Sequence, residues 1–337
     1  MRIGVIDCGS ASTKLSIADG ASILAANSVA VGTNSTLETG NNLALRRAIK
    51  KLIEETLQRI GLTIRDVPRY IAAGMISSEL GLKLLPHMQA PASLDDIAQG
   101  MEVLDGKEYL DLDVAIHLVR GVINAVPAKD YAHLETMDLM RGEEVQTFGA
   151  MELLGTKPPA NIVELGSTTK WIHVDARGRL AGSITSLSGQ VYAAVAGHTL
   201  LAGSLRDDGR PPESFWSEEL LEAAYRSVSH QGLLRSLFLI RSGQVYMKNT
   251  LAERRFYFSA ALCCDDIRIF ASGAAAGFDG SAPFVIVGNA ERCRMYEYLL
   301  RNKTGVKGSI FILDRKEDME KLSVIGCRMI MSWLDAK

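Results

Sequence analysis

A strand–turn–strand pattern occurs twice in the chain, and this repetition constrains the fold more than any other feature. The first copy, RIGVID-CGSASTK-LSIADGASI, starts at Arg2, and the second, NIVEL-GSTTK-WIHVDARGRLAGSI, starts at Asn161. Each copy has an apolar strand with an acid at or near its end, a turn of small residues, and a strand that continues through a glycine turn. Because a supersecondary unit recurs rather than identical residues, the pattern predicts two α/β halves of like fold facing each other across a cleft.

The boundary between the halves is predicted near residue 150. Lys157-Pro158-Pro159 interrupts the chain just before the second copy, as expected of a connection. The chain has 337 residues, enough for two domains at roughly 150 residues each. We therefore predict one domain over residues 1–150 and a second over residues 151–337.

Hydrophobic spacing predicts the elements around the two copies. In the first half, apolar residues at three- and four-residue spacing predict a helix over residues 43–60, and RYIAAGM predicts a buried strand that ends near Gly74. A further strand is predicted in VAIHLVRGV. In the second half, Ser217 is a candidate N-cap of a helix, and FVIVGN predicts a strand that ends at Gly288-Asn289 before another helix.

Charge and composition exclude several classes of protein. Lys and Arg number 37 against 39 Asp and Glu, a net charge of −2, whereas binding nucleic acid by bulk charge requires a basic excess. No apolar stretch is long enough to span a bilayer, and the N-terminal residues predict a strand rather than a secretory signal. The five cysteines include no metal-type CxxC pair, so we expect reduced thiols and a cytoplasmic protein without nucleic-acid or membrane partners.

The first small-residue turn is a candidate phosphate loop. Backbone N–H groups of such a turn can point inward together, as a phosphate needs, and an acid just before it can hold Mg²⁺. A plain hairpin turn with a polar tip is the alternative. The candidate residues are Asp7 for the metal and, for the phosphate, Gly9, Ser10, Ser12 and Thr13.

The second turn is a candidate for the other side of a polyphosphate. Lys170 is either a cation for the phosphates or a surface lysine lying over Trp171. The strand end at Gly288-Asn289 is either a place for an adenine ring or a tight strand-to-helix turn. The candidate residues of this second loop are Gly166, Ser167, Thr168, Thr169 and Lys170.

The densest polar cluster is MDLMRGEEVQTFGAMELLG, just before the second copy of the repeat. Acids that alternate with apolar residues beside an arginine form either a structural ion pair or a catalytic or binding site. Arg141 is a candidate clamp for a substrate carboxylate, and one of the acids Asp138, Glu143 and Glu144 is a candidate base for a hydroxyl proton. The chain contains neither HExxH nor GxSxG, which disfavours a metal hydrolase and a serine hydrolase of those types.

These segments, in this order, resemble the 2-dehydro-3-deoxygalactonokinase family of sugar-acid kinases. The resemblance extends over most of the chain, and MRGEEVQTFGA is its most specific segment. The other segments that carry it are AAGMISSELGL with LPHMQAPAS, LGSTTKWI, SLSGQVYAAVAGHTLL, and LLRSLFLIRSG with RRFYFSAALCCDDI.

The resemblance implies the actin-like ATPase architecture of two RNase H-like domains with ATP and Mg²⁺ in the cleft. It implies phosphorylation of 2-dehydro-3-deoxy-galactonate on its terminal hydroxyl, giving the 6-phosphate. Asp7 would organise the metal, the two small-residue turns would bind phosphates, and Gly288-Asn289 would lie near the nucleoside. The sugar acid would lie against Gly74-Met75 and the Arg141 segment.

The chain departs from the family pattern at several positions. Its first loop reads Asp-Cys-Gly-Ser-Ala-Ser where the family usually has Asp-Trp-Gly-Thr-Thr-Asn, and its second reads Leu-Gly-Ser-Thr-Thr-Lys where the family usually has Pro-Gly-Thr-His-Ser-Lys. Ser188-Gly189-Gln190 replaces Thr-Gly-Glu, and Arg120-Gly121 replaces Pro-Gly. These departures leave open a kinase of a related sugar or sugar acid, and a relative that binds nucleotide or sugar acid without catalysis. The oligomeric state is open, with a homodimer as one option.

Overall fold

The structure is a computed structural model that describes residues 2–126, 131–206, 214–272 and 277–336. Its contacts divide the chain into two compact units. The first unit comprises Met1–Pro158, Val174–Ser183 and Glu320–Lys337, and the second comprises Pro159–His173 and Ile184–Met319. The C-terminal segment of the chain therefore groups with the N-terminal unit.

The first unit contains a six-stranded sheet and a small three-stranded sheet. Their strands are β1 (Arg2–Cys8), β2 (Thr13–Asp19), β3 (Ser22–Val29), β4 (Arg69–Gly74), β5 (Met88–Gln89), β6 (Glu102–Asp105), β7 (Ala115–Leu118), β8 (Val122–Ile123) and β9 (Leu139–Met140). The large sheet has the order β3-β2-β1-β4-β7-β6, and the small sheet has the order β5-β8-β9. β1 is antiparallel to β2 and parallel to β4, which is parallel to β7.

A five-stranded sheet forms the centre of the second copy of the repeat. Its strands are β10 (Ala160–Leu165), β11 (Thr169–Val174), β12 (Leu180–Ser186), β13 (Phe284–Gly288) and β14 (Ile310–Leu313), in the order β12-β11-β10-β13-β14. β10 is parallel to β13, and β13 is parallel to β14. This order matches β3-β2-β1-β4-β7 of the first sheet position by position, which confirms the predicted repeat of an α/β unit.

Helices connect and cover these strands. Those of the N-terminal part are α1 (Asn34–Thr39), α2 (Leu43–Arg59), α3 (Leu94–Gly100), α4 (Gly106–Leu110) and α5 (Glu143–Leu154). The remaining helices are α6 (Ser188–His198), α7 (Ala202–Leu205), α8 (Glu218–Gln231), α9 (Leu233–Ser242), α10 (Leu251–Asp266), α11 (Arg268–Ser272), α12 (Ala290–Lys303) and α13 (Lys316–Asp335). Within the described ranges, no helix is both long and apolar enough to cross a membrane.

Most predicted elements are confirmed, with two differences. The helix predicted over residues 43–60 is α2, and Ser217 caps α8 by accepting a hydrogen bond from the N–H of Leu220. The strand predicted in VAIHLVRGV is instead divided into β7 and β8. The chain turns there because Gly121 packs so tightly that a Cβ atom would lie 2.3 Å from the carbonyl oxygen of Met140. The apolar segment LAERRFYFSAALCCDDIRIFAS, whose composition predicts one buried helix, is instead divided into α10, which ends at Asp266, and α11.

Each unit has its own apolar core. In the first unit the apolar stripe of α2 packs with the residues of β1, β2 and β4, and in the second unit buried residues of α8, α10 and α12 belong to one cluster with Trp171. All five cysteines are free and buried. Burial raises the pKa of Cys8 to about 11, so this thiol is a packing residue rather than a nucleophile.

The C-terminal helix α13 joins the first unit through close contact with α5. Gly149 of α5 lies where a Cβ atom would be 2.1 Å from the carbonyl oxygen of Leu322. Gly326 of α13 lies where a Cβ atom would be 2.0 Å from the carbonyl oxygen of Val145. Because glycine alone permits this approach, the two helices pack backbone to backbone.

Candidate active site

The carboxyl ends of β1 and β4 lie side by side and define one edge of the first sheet. Asp7 pairs with Ala73, and Cys8 pairs with Gly74. Gly74 has a φ of 83°, and a Cβ atom there would lie 2.5 Å from the carbonyl oxygen of Cys8. Since no other residue could adopt this position without displacing β1, Gly74 keeps the sheet edge open next to Asp7.

The start of α5 reaches this same edge. Gly142 has a φ of 116°, and a Cβ atom there would lie 3.1 Å from the Cα atom of Gly74. Two glycines in contact therefore hold the Arg141–Glu144 segment against the end of β4. The structure thus brings together two segments that the sequence analysis placed on the sugar side.

Glu143 and Glu144 have different environments. Glu144 is fully buried, at 0% exposure, and its Oε2 accepts a 2.6 Å hydrogen bond from the N–H of Gly142. Burial, together with the charge of Glu143, raises its pKa to about 8. Glu143 is half-buried, and its Oε2 accepts a 2.9 Å hydrogen bond from the N–H of Arg141. Glu143 is therefore the acid of this pair that keeps contact with solvent.

Asp7 lies at the end of β1 within reach of the charge of Glu143. Burial is the main cause that raises its pKa, and the charge of Glu143 raises it further, while a 2.8 Å hydrogen bond from Ser323 and the charge of Lys14 lower it. Over the described ranges, no group of three or more His, Cys, Asp or Glu residues could hold a metal ion. Mg²⁺ is commonly bound through one or two carboxylates, with the remaining ligands from water and substrate phosphates. The oxygen donors of Asp7 fit that pattern.

Arg141 directs its guanidinium into the first unit. Nη1 donates to both the carbonyl and the hydroxyl oxygen of Ser77, at 2.6 Å each, and Nη2 donates to the carbonyl oxygen of Leu85 at 3.2 Å. Nη2 also lies 3.1 Å from Nε2 of His87. These contacts hold the turn after β4, so much of the donor capacity of Arg141 is used within the protein.

The other two residues predicted for the sugar side, Met75 and Asp138, are both half-buried. Met75 is half-buried and opens the 3₁₀ turn Met75–Ser77 that follows β4. Asp138 is half-buried, and its Oδ1 accepts a 2.6 Å hydrogen bond from the N–H of Leu139. The roles predicted for Arg141, Met75 and Asp138 stay predictions.

The first small-residue turn is a compact loop whose tip is exposed. The N–H of Gly9 donates to the carbonyl oxygen of Ser12 at 2.9 Å, and the carbonyl oxygen of Ser10 accepts from the N–H of Asn34 at 2.8 Å. Thr13 is buried, and its hydroxyl donates to the carbonyl oxygen of Val31 at 2.8 Å. Thr13 therefore anchors the loop, while Ser10 and Ser12 keep contact with solvent.

The second turn repeats this arrangement. The N–H of Gly166 donates to the carbonyl oxygen of Thr168 at 2.9 Å, and Ser167 is exposed. Thr169 is buried, with its hydroxyl 2.6 Å from that of Ser188. Lys170 is 5% exposed, so the alternative of a surface lysine over Trp171 is wrong, and its predicted contact with phosphate stays a prediction.

The two loops also share their glycine packing. A Cβ atom at Gly32 would lie 2.4 Å from the carbonyl oxygen of Gly9, and one at Gly189 would lie 2.5 Å from that of Gly166. Gly288 corresponds to Gly74, because it pairs with Leu165 at the end of β10. The structural repeat therefore includes the loops and the sheet edges beside them.

Arg292 on α12 contacts the second loop, and the sequence analysis missed it. Asn289 caps α12 by accepting from the N–H groups of Glu291 and Arg292. The guanidinium of Arg292 donates to the carbonyl oxygen of Gly166 at 3.3 Å and to the hydroxyl of Thr169 at 2.9 Å. A signal was present, because the helix dipole disfavours a cation in the first turn of a helix.

Ser323 is a second residue that the sequence analysis missed. It lies on α13, far from Asp7 in sequence, and no local pattern indicates their contact. Only the packing of α13 against the first unit places its hydroxyl beside Asp7.

Comparisons with known proteins indicate the family to which the chain belongs. A family model described as 2-keto-3-deoxy-galactonokinase matches residues 7–315. A protein of Rhizobium meliloti (strain 1021) assigned as a 2-dehydro-3-deoxygalactonokinase is 27% identical over 237 residues, 69% of this chain and 70% of that protein. The 2-dehydro-3-deoxygalactonokinase of Escherichia coli (strain K12) is 25% identical over 175 residues, so the match spans about half of each chain, 52%.

Solved structures confirm the fold. One from Sinorhizobium meliloti, assigned as a 2-dehydro-3-deoxygalactonokinase, has a TM-score of 0.74 and 21% identity over 98% of this chain and 99% of that chain. Component A of the (R)-2-hydroxyglutaryl-CoA dehydratase of Acidaminococcus fermentans has a TM-score of 0.52 and 14% identity over the full length of both. The predicted α/β fold class of the actin-like ATPases is confirmed. Since its family model matches nearly the whole sequence, the chain belongs to the 2-keto-3-deoxy-galactonokinase family of sugar-acid kinases.

Proposed function

We propose that the protein transfers the terminal phosphoryl group of ATP to the terminal hydroxyl of 2-dehydro-3-deoxy-galactonate, giving the 6-phosphate. The observation that carries this proposal is the contact between Gly74 and Gly142, which holds a half-buried acid, Glu143, within charge interaction of Asp7. Phosphoryl transfer requires a base or orienting group for the hydroxyl and a metal ligand for the phosphates. The first unit presents one acid for each task.

Glu143 is our proposed base. A general base must reach the hydroxyl whose proton it takes, and it must be ionised when it does so. Glu143 is half-buried, whereas Glu144 is fully buried with a raised pKa of about 8. The neutral carboxyl of Glu144 would then hold the N–H of Gly142 and leave Glu143 as the acid of the pair that reaches solvent at the edge of the sheet.

Asp7 is our proposed ligand for Mg²⁺. The ion would neutralise negative charge on the phosphates when bound. The hydrogen bond from Ser323 favours the ionised form of Asp7 against the effect of its burial. The chain itself therefore contributes an oxygen donor at the end of β1 whose ionised form is supported by the hydroxyl of Ser323.

The two small-residue loops are our proposed phosphate sites, and Gly288-Asn289 our proposed nucleoside site. Backbone N–H groups of such loops bind phosphate oxygens without a charged side chain. Arg292 would act as a positioning residue, because its guanidinium joins the carbonyl oxygen of Gly166 to the hydroxyl of Thr169. It would also add a positive charge beside the second loop.

A coupled assay of ADP release, with a panel of 2-keto-3-deoxy sugar acids, tests the proposal. We expect turnover of at least one acid, with a product phosphorylated on its terminal hydroxyl. Glu143→Gln should lower kcat by roughly 10²- to 10⁴-fold, and Glu144→Gln far less. Failure of folded protein to phosphorylate any of these acids would contradict the proposal. Nucleotide binding without turnover would then favour a non-catalytic relative, and turnover of a neutral sugar would favour a kinase with a different acceptor.

We further infer a cytoplasmic location, since all five cysteines are free thiols and reducing compartments keep thiols in that state. A homodimer stays a prediction. Exposed apolar side chains of the α9 region, among them Phe238, Tyr246 and Met247, are compatible with it. Light scattering over a range of protein concentrations measures the state directly.

A further inference from the structure

Arg120 lies at the same edge of the first sheet as Gly74. It follows Leu118, the last residue of β7, by two positions, as Gly74 follows Ala72 on the neighbouring strand β4, and Ala72 pairs with Leu118. The N–H of Val119 still donates to the carbonyl oxygen of Ala72 at 2.9 Å. Arg120 therefore lies just beyond the end of β7, beside Gly74 at the end of the neighbouring strand β4.

The turn that carries Arg120 packs against the predicted sugar side. A Cβ atom at Gly121 would lie 2.8 Å from Cδ2 of His87 and 3.2 Å from Cβ of Arg141. The carbonyl oxygen of Gly121 also accepts a 2.9 Å hydrogen bond from the N–H of Met88. The backbone of this turn is thus fixed on both sides, and Arg120 extends from a rigid support.

The guanidinium of Arg120 lacks a partner in the part of the chain that the structure describes. The residue is half-buried, and its Nε is buried without a hydrogen-bond partner. Within residues 2–126, 131–206, 214–272 and 277–336, its guanidinium makes no hydrogen bond and no ion pair. Burying a charged donor without a partner costs free energy, which an anionic ligand would recover.

The guanidinium of Arg141, the other arginine of this region, has several partners within the first unit. Its two terminal nitrogens already contact Ser77, Leu85 and His87. Of the two, Arg120 therefore has the larger unused capacity for a carboxylate, and the planar guanidinium can bind both carboxylate oxygens at once.

We propose that Arg120 binds the carboxylate of the acceptor sugar acid and thereby selects an acid over a neutral sugar. This inference rests on the proposed function, since it specifies the acceptor side of that same reaction. It assigns to Arg141 the support of the turn after β4 and to Arg120 the contact with substrate.

Steady-state kinetics of Arg120→Ala, Arg120→Lys and the wild type test the proposal, with a 2-keto-3-deoxy sugar acid and its methyl ester as acceptors. Arg120→Ala should raise KM for the acid at least about tenfold, as expected for loss of a charge-assisted contact. Its KM for ATP should not change, and Arg120→Lys should restore part of the affinity. The preference of the wild type for acid over ester should disappear in Arg120→Ala. Arg47→Ala, at an exposed position of α2, is the control for loss of a positive charge.

Thermal unfolding distinguishes recognition from a structural role. Because the guanidinium of Arg120 has no hydrogen-bond or ion-pair partner among the described residues, Arg120→Ala should unfold at the same temperature as the wild type or higher. A lower unfolding temperature together with an unchanged preference for acid over ester would overturn the proposal, as would an unchanged KM for the acid. If the wild type turns over no sugar acid, the proposed function is wrong. Calorimetry of sugar-acid binding then tests separately whether Arg120 binds the carboxylate. Weaker binding by Arg120→Ala would support the assignment, whereas equal binding, or none by the wild type, would overturn it.

Discussion

The hydroxyl of Ser323 donates a 2.8 Å hydrogen bond to Oδ2 of Asp7, across 316 positions of sequence. Asp7 is the penultimate residue of the first strand of the chain, and Ser323 lies on its last helix. The bond lowers the pKa of Asp7 against the opposing effect of burial. The C-terminal helix thus supports the ionised state of the carboxylate that we propose for the metal.

Replacing Ser323 by Ala should weaken use of Mg²⁺. Without the donor, the pKa of Asp7 rises further, so a smaller fraction of the carboxyl is ionised at a given pH. A hydrogen bond to a charged group contributes about 1.5 kcal/mol or more, so the Mg²⁺ concentration for half-maximal activity should rise roughly tenfold. The acid limb of the pH–rate profile should also move to higher pH. Identical profiles for Ser323→Ala and the wild type would show that this bond does not tune Asp7.

Replacing Glu144 by Gln should change how stability depends on pH. The pKa of Glu144 is raised from its ordinary value of 4.5 to about 8 in the folded state. Between these two values the folded protein binds more protons than the unfolded chain, so the free energy of unfolding of the wild type falls as pH rises through this window. Glu144→Gln removes this pH-dependent fall in the free energy of unfolding, which amounts to several kcal/mol across the window.

Urea denaturation at about pH 5, 7 and 9 measures this effect. The stability of Glu144→Gln relative to the wild type should increase from the lowest pH to the highest. Glu152→Gln, at an exposed position of α5, is the control for loss of a carboxylate. A difference between Glu144→Gln and the wild type that does not vary with pH would contradict the assigned neutral form.

Replacing Arg292 by Ala should weaken binding of nucleotide phosphates. Loss of hydrogen bonds from a charged group should raise the Kd for ADP and ATP by roughly 10- to 100-fold. Adenosine, which has no phosphate, should bind Arg292→Ala and the wild type equally. Arg294→Ala is the matched control on α12, because Arg294 lies over the ring of Trp216, 3.8 Å from its centre. Equal loss of adenosine and ADP affinity would indicate a general disturbance of the second unit instead.

Replacing Gly326 by Ala should destabilise the first unit. The added Cβ atom would lie 2.0 Å from the carbonyl oxygen of Val145, so α13 must move away from α5. Such overpacking costs about 1–3 kcal/mol or more. Gly197→Ala is the control, because a Cβ atom at that exposed helical position meets nothing within 4 Å. Denaturant unfolding that gives equal stability for both variants would contradict the close packing of α5 and α13.

The sequence predicted much of the secondary structure and the repeated α/β unit of this protein, because interactions between residues close in sequence determine them. Apolar spacing predicts α2 and the central strands, the N-cap Ser217 predicts the start of α8, and the recurring strand–turn–strand pattern predicts two α/β halves of like fold. The small-residue turns after Asp7 and Leu165 were recognised because glycine, serine and threonine in that context have few other uses.

The parts of the site that the sequence did not predict depend on contacts between distant segments. No residue near Asp7 in the sequence indicates its contact with Ser323, and none near Gly166 indicates the contact with Arg292. Glu143 and Glu144 are adjacent in sequence, but they differ in burial, and that difference is set by the packing of whole elements.

The sequence by itself determined the repeated α/β unit, the two loops and the group of acids before the second copy, because strand period, turn chemistry and helix period act over a few residues. Tertiary structure alone decided that α13 belongs with the first unit and that Gly142 meets Gly74. It alone also decided that the guanidinium of Arg141 is hydrogen-bonded to its neighbours, while that of Arg120 has no partner among the described residues. The reason is physical: hydrogen-bond partners and solvent exposure are fixed only when whole elements pack, and local sequence patterns carry no record of that packing.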